Sequence, residues 1–178
     1  MKKVLILTLT LSLFFCGTLA ASAAETKVGF VDLQKALNLS VEGKAAKEKI
    51  TAKVKEYESV IDTRQQELKK LKEDLEKQAV LLSPEARDAK ERDYQQKLKE
   101  FQRFTKDVQE ELQQQDSDHT NRIIEKLVNL VQEIAKRDGY DLVVERNSGG
   151  IIYGADKVDL TATVLKEFDA RFQKAAGK

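Results

Sequence analysis

Apolar residues recur with a heptad period along residues 41–136, and the only proline of the chain, Pro84, lies near the middle of this stretch. In the first half they are spaced alternately by four and three residues. An apolar stripe this narrow is typical of two helices packed against each other, not of a helix buried in a globule. We therefore predict a long antiparallel helical hairpin, the arm, which reverses near residues 80–85. The apolar seam of its first helix comprises Ile50, Val54, Tyr57, Ile61, Leu68, Leu71, Leu75 and Leu82, with Arg64 and Gln78 at two further seam positions.

The second helix of the arm changes character along its length. After Tyr94 its seam is narrow, but beyond residue 122 more than half of the helix circumference is apolar. A helix of that kind must be covered on several sides, and we expect other copies of the chain to contribute to the cover. The narrow seam holds Leu98, Phe101, Val108 and Leu112, and the broad part holds Ile123, Ile124, Leu127, Val128, Leu130, Val131 and Ile134.

The N-terminal segment has the pattern of a secretory signal peptide. Two lysines and an apolar run at residues 4–15 precede the small residues Ala21-Ser22-Ala23, as in cleavable export signals. We predict removal of residues 1–24. A lipoprotein signal ending at Cys16 is the alternative, but the bulky Phe15 before it disfavours lipidation. Cleavage would remove the only cysteine, leaving no disulfide and no thiolate.

The mature chain, residues 25–178, is expected to form a single domain, with a body built from residues 25–40 and 137–178. Short strands are predicted at residues 27–32, 140–145 and 151–153, the last two forming a hairpin around the turn at 147–150. The expected fold class is mainly α with a small β-body.

Local residue choices predict where the helices begin and end. Ser83 before Pro84 is a specific helix start, and Gly139 supplies a left-handed end to the long helix. Asp159 or Thr161 is expected to cap an amphipathic C-terminal helix. One face of that helix carries Leu160, Val164, Leu165, Phe168 and Phe172.

The charge of the chain is nearly balanced, with 31 Lys plus Arg against 30 Asp plus Glu. A balanced charge gives no general attraction to nucleic acid or to an anionic membrane. One local basic cluster lies near the arm end, and solvated helix faces with ion pairs are the alternative interpretation of it. The cluster comprises Lys69, Lys70, Lys72, Arg87, Lys90 and Arg92.

No catalytic set is found in the sequence. His119 is the only histidine, so one chain cannot form a histidine-based metal site or a catalytic triad. The glycines at 149 and 150 have no following helix that could receive a phosphate, which favours a turn over a nucleotide loop. We expect no enzyme activity, cofactor or metal.

The segments at the two ends of the hairpin resemble the Skp/OmpH family of periplasmic chaperones. The matching segments are Val28-Gly29-Phe30-Val31-Asp32, Tyr140-Asp141-Leu142-Val143-Val144 and the start of the last helix at 159–165. The resemblance covers essentially the whole mature chain. It implies a jellyfish-like homotrimer in which strands from the chains form a β-body and the arms surround a cavity.

The same resemblance implies a function. Such proteins are ATP-independent holdases that keep unfolded outer-membrane β-barrel proteins from aggregating in the periplasm and pass them to the assembly machinery. The near-neutral charge departs from the basic relatives, so no residues are assigned to lipopolysaccharide or membrane binding. The alternative function is a periplasmic coiled-coil adaptor docking on one folded envelope partner.

Two further groups of residues are candidates for contacts with other chains. Scattered apolar residues on the arm are candidates for client contact: Val60, Val80, Leu81 and Phe104. Apolar residues of the predicted strands are expected to build the trimer: Val28, Phe30, Leu142, Val144, Ile151 and Tyr153.

Overall fold

The structure is a computed structural model that describes residues 26–78 and 81–176. The predicted signal peptide lies outside these residues. Strand β1 (Val28–Val31) leads into helix α1 (Leu33–Leu39), and the hairpin follows as α2 (Val41–Gln78) and α3 (Pro84–Asp138). Strand β2 (Leu142–Glu145), a short 3-10 helix (Asp156–Val158) and helix α4 (Thr161–Ala176) complete the chain. The fold is mostly helical with a small strand pair, as the sequence predicted.

The arm is formed by two helices of unequal length. Helix α2 has 38 residues and α3 has 55, which correspond to about 57 Å and about 83 Å at 1.5 Å per residue. The outer parts of both helices bury little, with Leu68 and Val108 as their buried residues. The arm is therefore two helices thick, and most of its surface is exposed.

The predicted helix ends are confirmed. The Ser83 hydroxyl accepts a hydrogen bond from the backbone N–H of Ala86 at 3.3 Å, directly before Pro84. At the other end of α3, Gly139 has φ 70°, and its N–H donates to the carbonyl of Ala135. Gly139 can adopt this left-handed conformation at little cost because it has no Cβ. The helix therefore stops just before β2 begins.

Strands β1 and β2 form a parallel pair in which Val28 lies opposite Leu142 and Phe30 opposite Val144. Helix α1 and the whole arm form the crossover connection between them. A parallel bridge joins Phe30 to Asp159, and the N–H of Leu160 donates to the carbonyl of Phe30 at 2.8 Å. The sheet thus brings the segments before and after the arm together at its base.

The predicted strand at residues 151–153 is wrong, because this segment has no strand structure. After β2 the chain turns tightly, with the N–H of Gly149 donating to the carbonyl of Glu145 at 2.8 Å. The N–H of Ser148 also bonds to the Glu145 side chain. These bonds direct the chain away from β2 before a hairpin partner can pair with it. The turn at residues 147–150 is confirmed.

The core lies where the C-terminal third of α3 meets α1 and α4. Leu127 and Ile134 of α3 are fully buried, against Ala36 and Leu37 of α1 and the apolar face of α4. The expectation that other copies are needed to cover this helix is therefore corrected. The two short helices cover most of it within one chain, and Ile124 and Val128 are half-buried.

Both residues proposed to cap α4 take part in its start. The Asp159 carboxylate accepts a hydrogen bond from the N–H of Thr161 at 2.8 Å. The Thr161 hydroxyl accepts one from the N–H of Asp32 at 2.9 Å. Asp159 therefore performs the capping, whereas Thr161 attaches the helix start to the end of β1.

In residues 26–78 and 81–176, no helix has the length and apolar character needed to cross a membrane.

Candidate functional site: the arm and the exposed face of the body

The arm exposes isolated apolar side chains rather than one large patch. Leu81 at the tip has 84% of its surface exposed, and Val60 has 37%. Val80 lies outside the described residues. An exposed leucine at the end of a long projection can contact a partner before any other part of the chain does. Leu81 and Val60 remain our proposal for client contact on the arm.

Phe104 is less available than the sequence suggested. Its ring lies edge-on to Tyr57, with centroids 6.3 Å apart, and the Arg64 guanidinium lies 4.1 Å above its centroid. Both contacts join the two arm helices and are favourable for aromatic rings. Tyr57 also donates a hydrogen bond to Glu111 at 2.9 Å. Half-buried Phe104 therefore belongs to a contact that connects α2 and α3.

The basic cluster near the arm end is fully solvated. All six residues are exposed, and Lys90 donates to Gln78 across the hairpin at 2.5 Å. In the described part of the chain, ion pairs along the arm involve other residues, such as Lys77 with Glu73. The cluster is thus available to an anionic partner, although nothing in its geometry selects one.

The base of the arm is attached to the body by three contacts. The buried Ser40 caps α2, because its hydroxyl accepts from the N–H of Gly43 at 3.0 Å and donates to Leu37 of α1. The N–H of Val41 donates to Asp169 of α4 at 2.9 Å. Glu42 pairs with Lys126 of α3 at 2.5 Å. Helix α2 therefore starts from a position fixed by three other helices.

One face of the body is apolar and exposed. Val28 and Leu142, which are paired in the sheet, have 42% and 53% of their surfaces exposed, and Tyr153 has 86%. Val144 and Ile151 are half-buried. Three of the six predicted trimer residues are therefore exposed, and two more are half-buried.

Two residues differ from this prediction. Phe30 is 5% exposed and packs against Gly154, where a Cβ would lie 2.4 Å from the ring. Phe30 lies on the same face of β1 as Val28, because strand side chains alternate, but the segment at Gly154 covers it there. Ile152 was not predicted but is fully exposed. Residues 151–153 form a loop rather than a strand, so their side chains do not alternate between two faces of a sheet.

Ion pairs attach α4 to the end of α3. Arg137 forms two hydrogen bonds with Glu167, at 2.9 and 3.0 Å, and also contacts Asp138. Arg171 bonds to Glu133 at 2.6 Å. The hydrogen bonds from Arg137 lower the pKa of Glu167 and of Asp138, and the bond from Arg171 lowers the pKa of Glu133.

Within residues 26–78 and 81–176, no three His, Cys, Asp or Glu side chains are grouped so as to hold a metal ion.

The fold is shared with a solved structure. A Caulobacter crescentus protein described as an outer membrane chaperone (OmpH-like) superimposes with a TM-score of 0.76 and 17% identity, over 84% of this chain and 88% of that one. At that identity the likeness establishes the fold. The long hairpin and the small strand pair therefore define a known architecture.

Sequence comparisons give the family. Residues 27–168 match the family described as Outer membrane protein (OmpH-like), and the chain belongs to it. A Skp-like protein of Pseudomonas aeruginosa is 28% identical over 149 residues, which are 82% of this chain and 86% of the relative. The Chaperone protein Skp of Pectobacterium atrosepticum is 23% identical over 125 residues, 70% of this chain and 72% of the relative. The chain is therefore a member of the Skp/OmpH-like family of outer membrane chaperones.

Proposed function

We propose that the chain is an ATP-independent periplasmic holdase for unfolded outer-membrane β-barrel proteins. The observation that carries the proposal is the division of the molecule into a packed body and an exposed two-helix arm. Nearly all of the core lies at the base of the molecule, where the C-terminal third of α3 meets α1 and α4, so the outer part of the arm makes little contribution to the chain's own core. Membership of the OmpH-like family supports the same function.

The chemistry of the arm suits weak and unselective contacts. Beyond the base of the arm, the exposed apolar residues Val60 and Leu81 are separated by charged surface of both signs. An unfolded barrel protein presents alternating strands that are only weakly apolar and pair readily at their edges. Many small contacts can cover such a chain without trapping it, whereas an adaptor for one folded partner would need a continuous apolar patch.

We further propose that the functional unit is a homotrimer assembled through the exposed body face around Val28 and Leu142. A single two-helix arm cannot surround an unfolded chain, so several arms are needed to enclose one. The exposed Ile152 and Tyr153 would be covered in the same assembly. Delivery to the outer-membrane assembly machinery and export through the predicted signal peptide complete the proposal.

Light scattering tests the holding function. An unfolded outer-membrane β-barrel protein is diluted from urea into buffer, with or without residues 25–178 and without ATP. A holdase suppresses scattering at a stoichiometric ratio of trimer to client. Unchanged scattering at a several-fold excess would contradict the proposal and favour the adaptor alternative.

A further inference from the structure

A groove of about 500 Å³ opens between α2 and α3 midway along the arm. It lies at the exposed Val60, well away from the body and from the tip. A hollow of about 570 Å³ lies nearer the tip, but its lining comes from α3 alone and is entirely polar or charged. The principal lining residues of the groove are Val60, Arg64 and Leu68 of α2 and Lys97, Glu100 and Phe101 of α3.

The groove lies where Arg64 occupies a seam position. An apolar residue there would fill the space between Ile61 and Leu68, as heptad packing requires. The Arg64 guanidinium is instead directed over the ring of Phe104, at 4.1 Å. The adjoining wall carries the short side chain of Thr63, which does not fill the space either. One polar residue therefore interrupts the seam and leaves an opening.

The floor and the rim of the groove differ in chemistry. Leu68, 9% exposed, and the half-buried Phe101 give an apolar floor. The rim carries cations from Arg64 and Lys97 and carboxylates, including that of Glu100. The rim thus offers hydrogen-bond donors and acceptors around a small apolar cavity.

This combination fits an extended polypeptide. In an extended chain, alternate side chains point to opposite sides, so one apolar side chain can enter the cavity while its neighbours stay in solvent. The peptide groups next to it carry one donor and one acceptor each, and the mixed rim can satisfy both. A helical ligand has its peptide groups already paired and would leave the rim groups without partners.

We propose that the groove binds an extended segment of unfolded polypeptide with alternating apolar and polar residues, and that it takes up one apolar side chain. The inference rests on the proposed holding function and assigns to it one contact site for the alternating strands of its clients. Each arm then offers one defined contact within an otherwise diffuse surface. Val60, Leu68 and Phe101 contact the inserted side chain, and Arg64 keeps the cavity open.

The test compares two variants, each of which replaces a polar residue of the seam by leucine. Arg64→Leu fills the seam at the groove and closes it. Gln78→Leu fills the other polar seam position, which does not line the groove, and is the matched control. The probe is a short fluorescein-labelled peptide that alternates leucine with lysine and glutamate, and binding is followed by fluorescence anisotropy.

The expected result is binding to the wild type and to Gln78→Leu, with a loss of about tenfold or more in Arg64→Leu, as for one lost apolar contact. Equal binding to all three proteins would overturn the proposal, as would equal losses in both variants, which would indicate an effect of arm stiffness. Absence of wild-type binding would also overturn it. Scattering with the full-length client is measured in parallel, so failure of the groove and failure of the holding function are distinguishable.

Discussion

Asp169 of α4 accepts a hydrogen bond at 2.9 Å from the backbone N–H of Val41, the first residue of α2. The two residues are separated by 128 positions in the chain. The C-terminal helix therefore supplies a cap to the arm. A helix start leaves its first N–H groups without intrahelical partners, and an acidic side chain there is also favoured by the helix dipole.

Replacement of Asp169 by alanine should destabilise the protein. The loss of one capping bond costs about 1 kcal/mol of unfolding free energy, or about 2–4 °C in Tm for a chain of this size. Asp93→Ala removes an exposed carboxylate on the arm and should change stability by less than about 0.5 kcal/mol. Thermal unfolding at one fixed chain concentration is the measurement. Equal stability of the two variants would show that this bond contributes nothing.

Gly43→Ala should destabilise the protein, which is opposite to the usual effect in a helix. Alanine is normally better than glycine inside a helix by about 0.5–1 kcal/mol. Here a Cβ would lie 1.9 Å from the backbone oxygen of Leu37 and 2.9 Å from the Ser40 hydroxyl. The joint between α1 and α2 must then shift, and we expect a loss of more than about 2 kcal/mol. Urea denaturation decides the sign, and a stabilised variant would contradict the expectation.

The parts of the fold that depend on local sequence could be predicted. The heptad spacing predicts the hairpin, and Ser83 before Pro84 and Gly139 mark the ends of α3 because capping depends on neighbouring residues. The final helix follows from its own apolar face. The position of the turn also follows from local residues, so the sequence indicates which residues lie near the end of the arm, including the basic cluster.

The contacts across the chain could not be predicted. The parallel pairing of β1 with β2 and the bond from Val41 to Asp169 join segments on either side of the arm, and no local pattern encodes them. The error at residues 151–153 has a related cause. A short run of β-branched and aromatic residues after a glycine turn, Ile151-Ile152-Tyr153, predicts a hairpin, but the bonds to Glu145 redirect the chain. Burial of Phe30 likewise depends on Gly154, which packs against it from a distant segment.

The contacts of Arg137 predict a dependence of stability on pH. The folded pKa values of Glu167 and Asp138 lie below the ordinary values of 4.5 and 3.8 because Arg137 donates hydrogen bonds to both carboxylates. Groups with a lowered folded pKa stabilise the protein above their unfolded pKa, and the contribution is lost as the pH falls through the folded pKa. Stability should therefore decrease as the pH is lowered below about 4.5.

Arg137→Gln should remove this part of the pH dependence. The variant should be less stable than the wild type near neutral pH, and the difference should narrow on acidification and at high salt. Lys106→Gln, which breaks the exposed pair with Glu110 at 3.5 Å, is the control and should show no such difference. Denaturation curves from about pH 7 down to about pH 3 give the comparison. A constant difference at every pH would mean that Arg137 acts only through packing.

Leu142→Glu should abolish the proposed trimer while the chain stays folded. Leu142 is 53% exposed and pairs with Val28 in the sheet, so a carboxylate fits in the isolated chain. At an interface between copies the same carboxylates would be buried together without counterions, which is costly. Sedimentation should show monomers with unchanged helical circular dichroism. Replacement of Val80 and Leu81 by serine, at the far end of the arm, should leave the trimer intact. A trimer that survives Leu142→Glu would show that the copies meet through another surface.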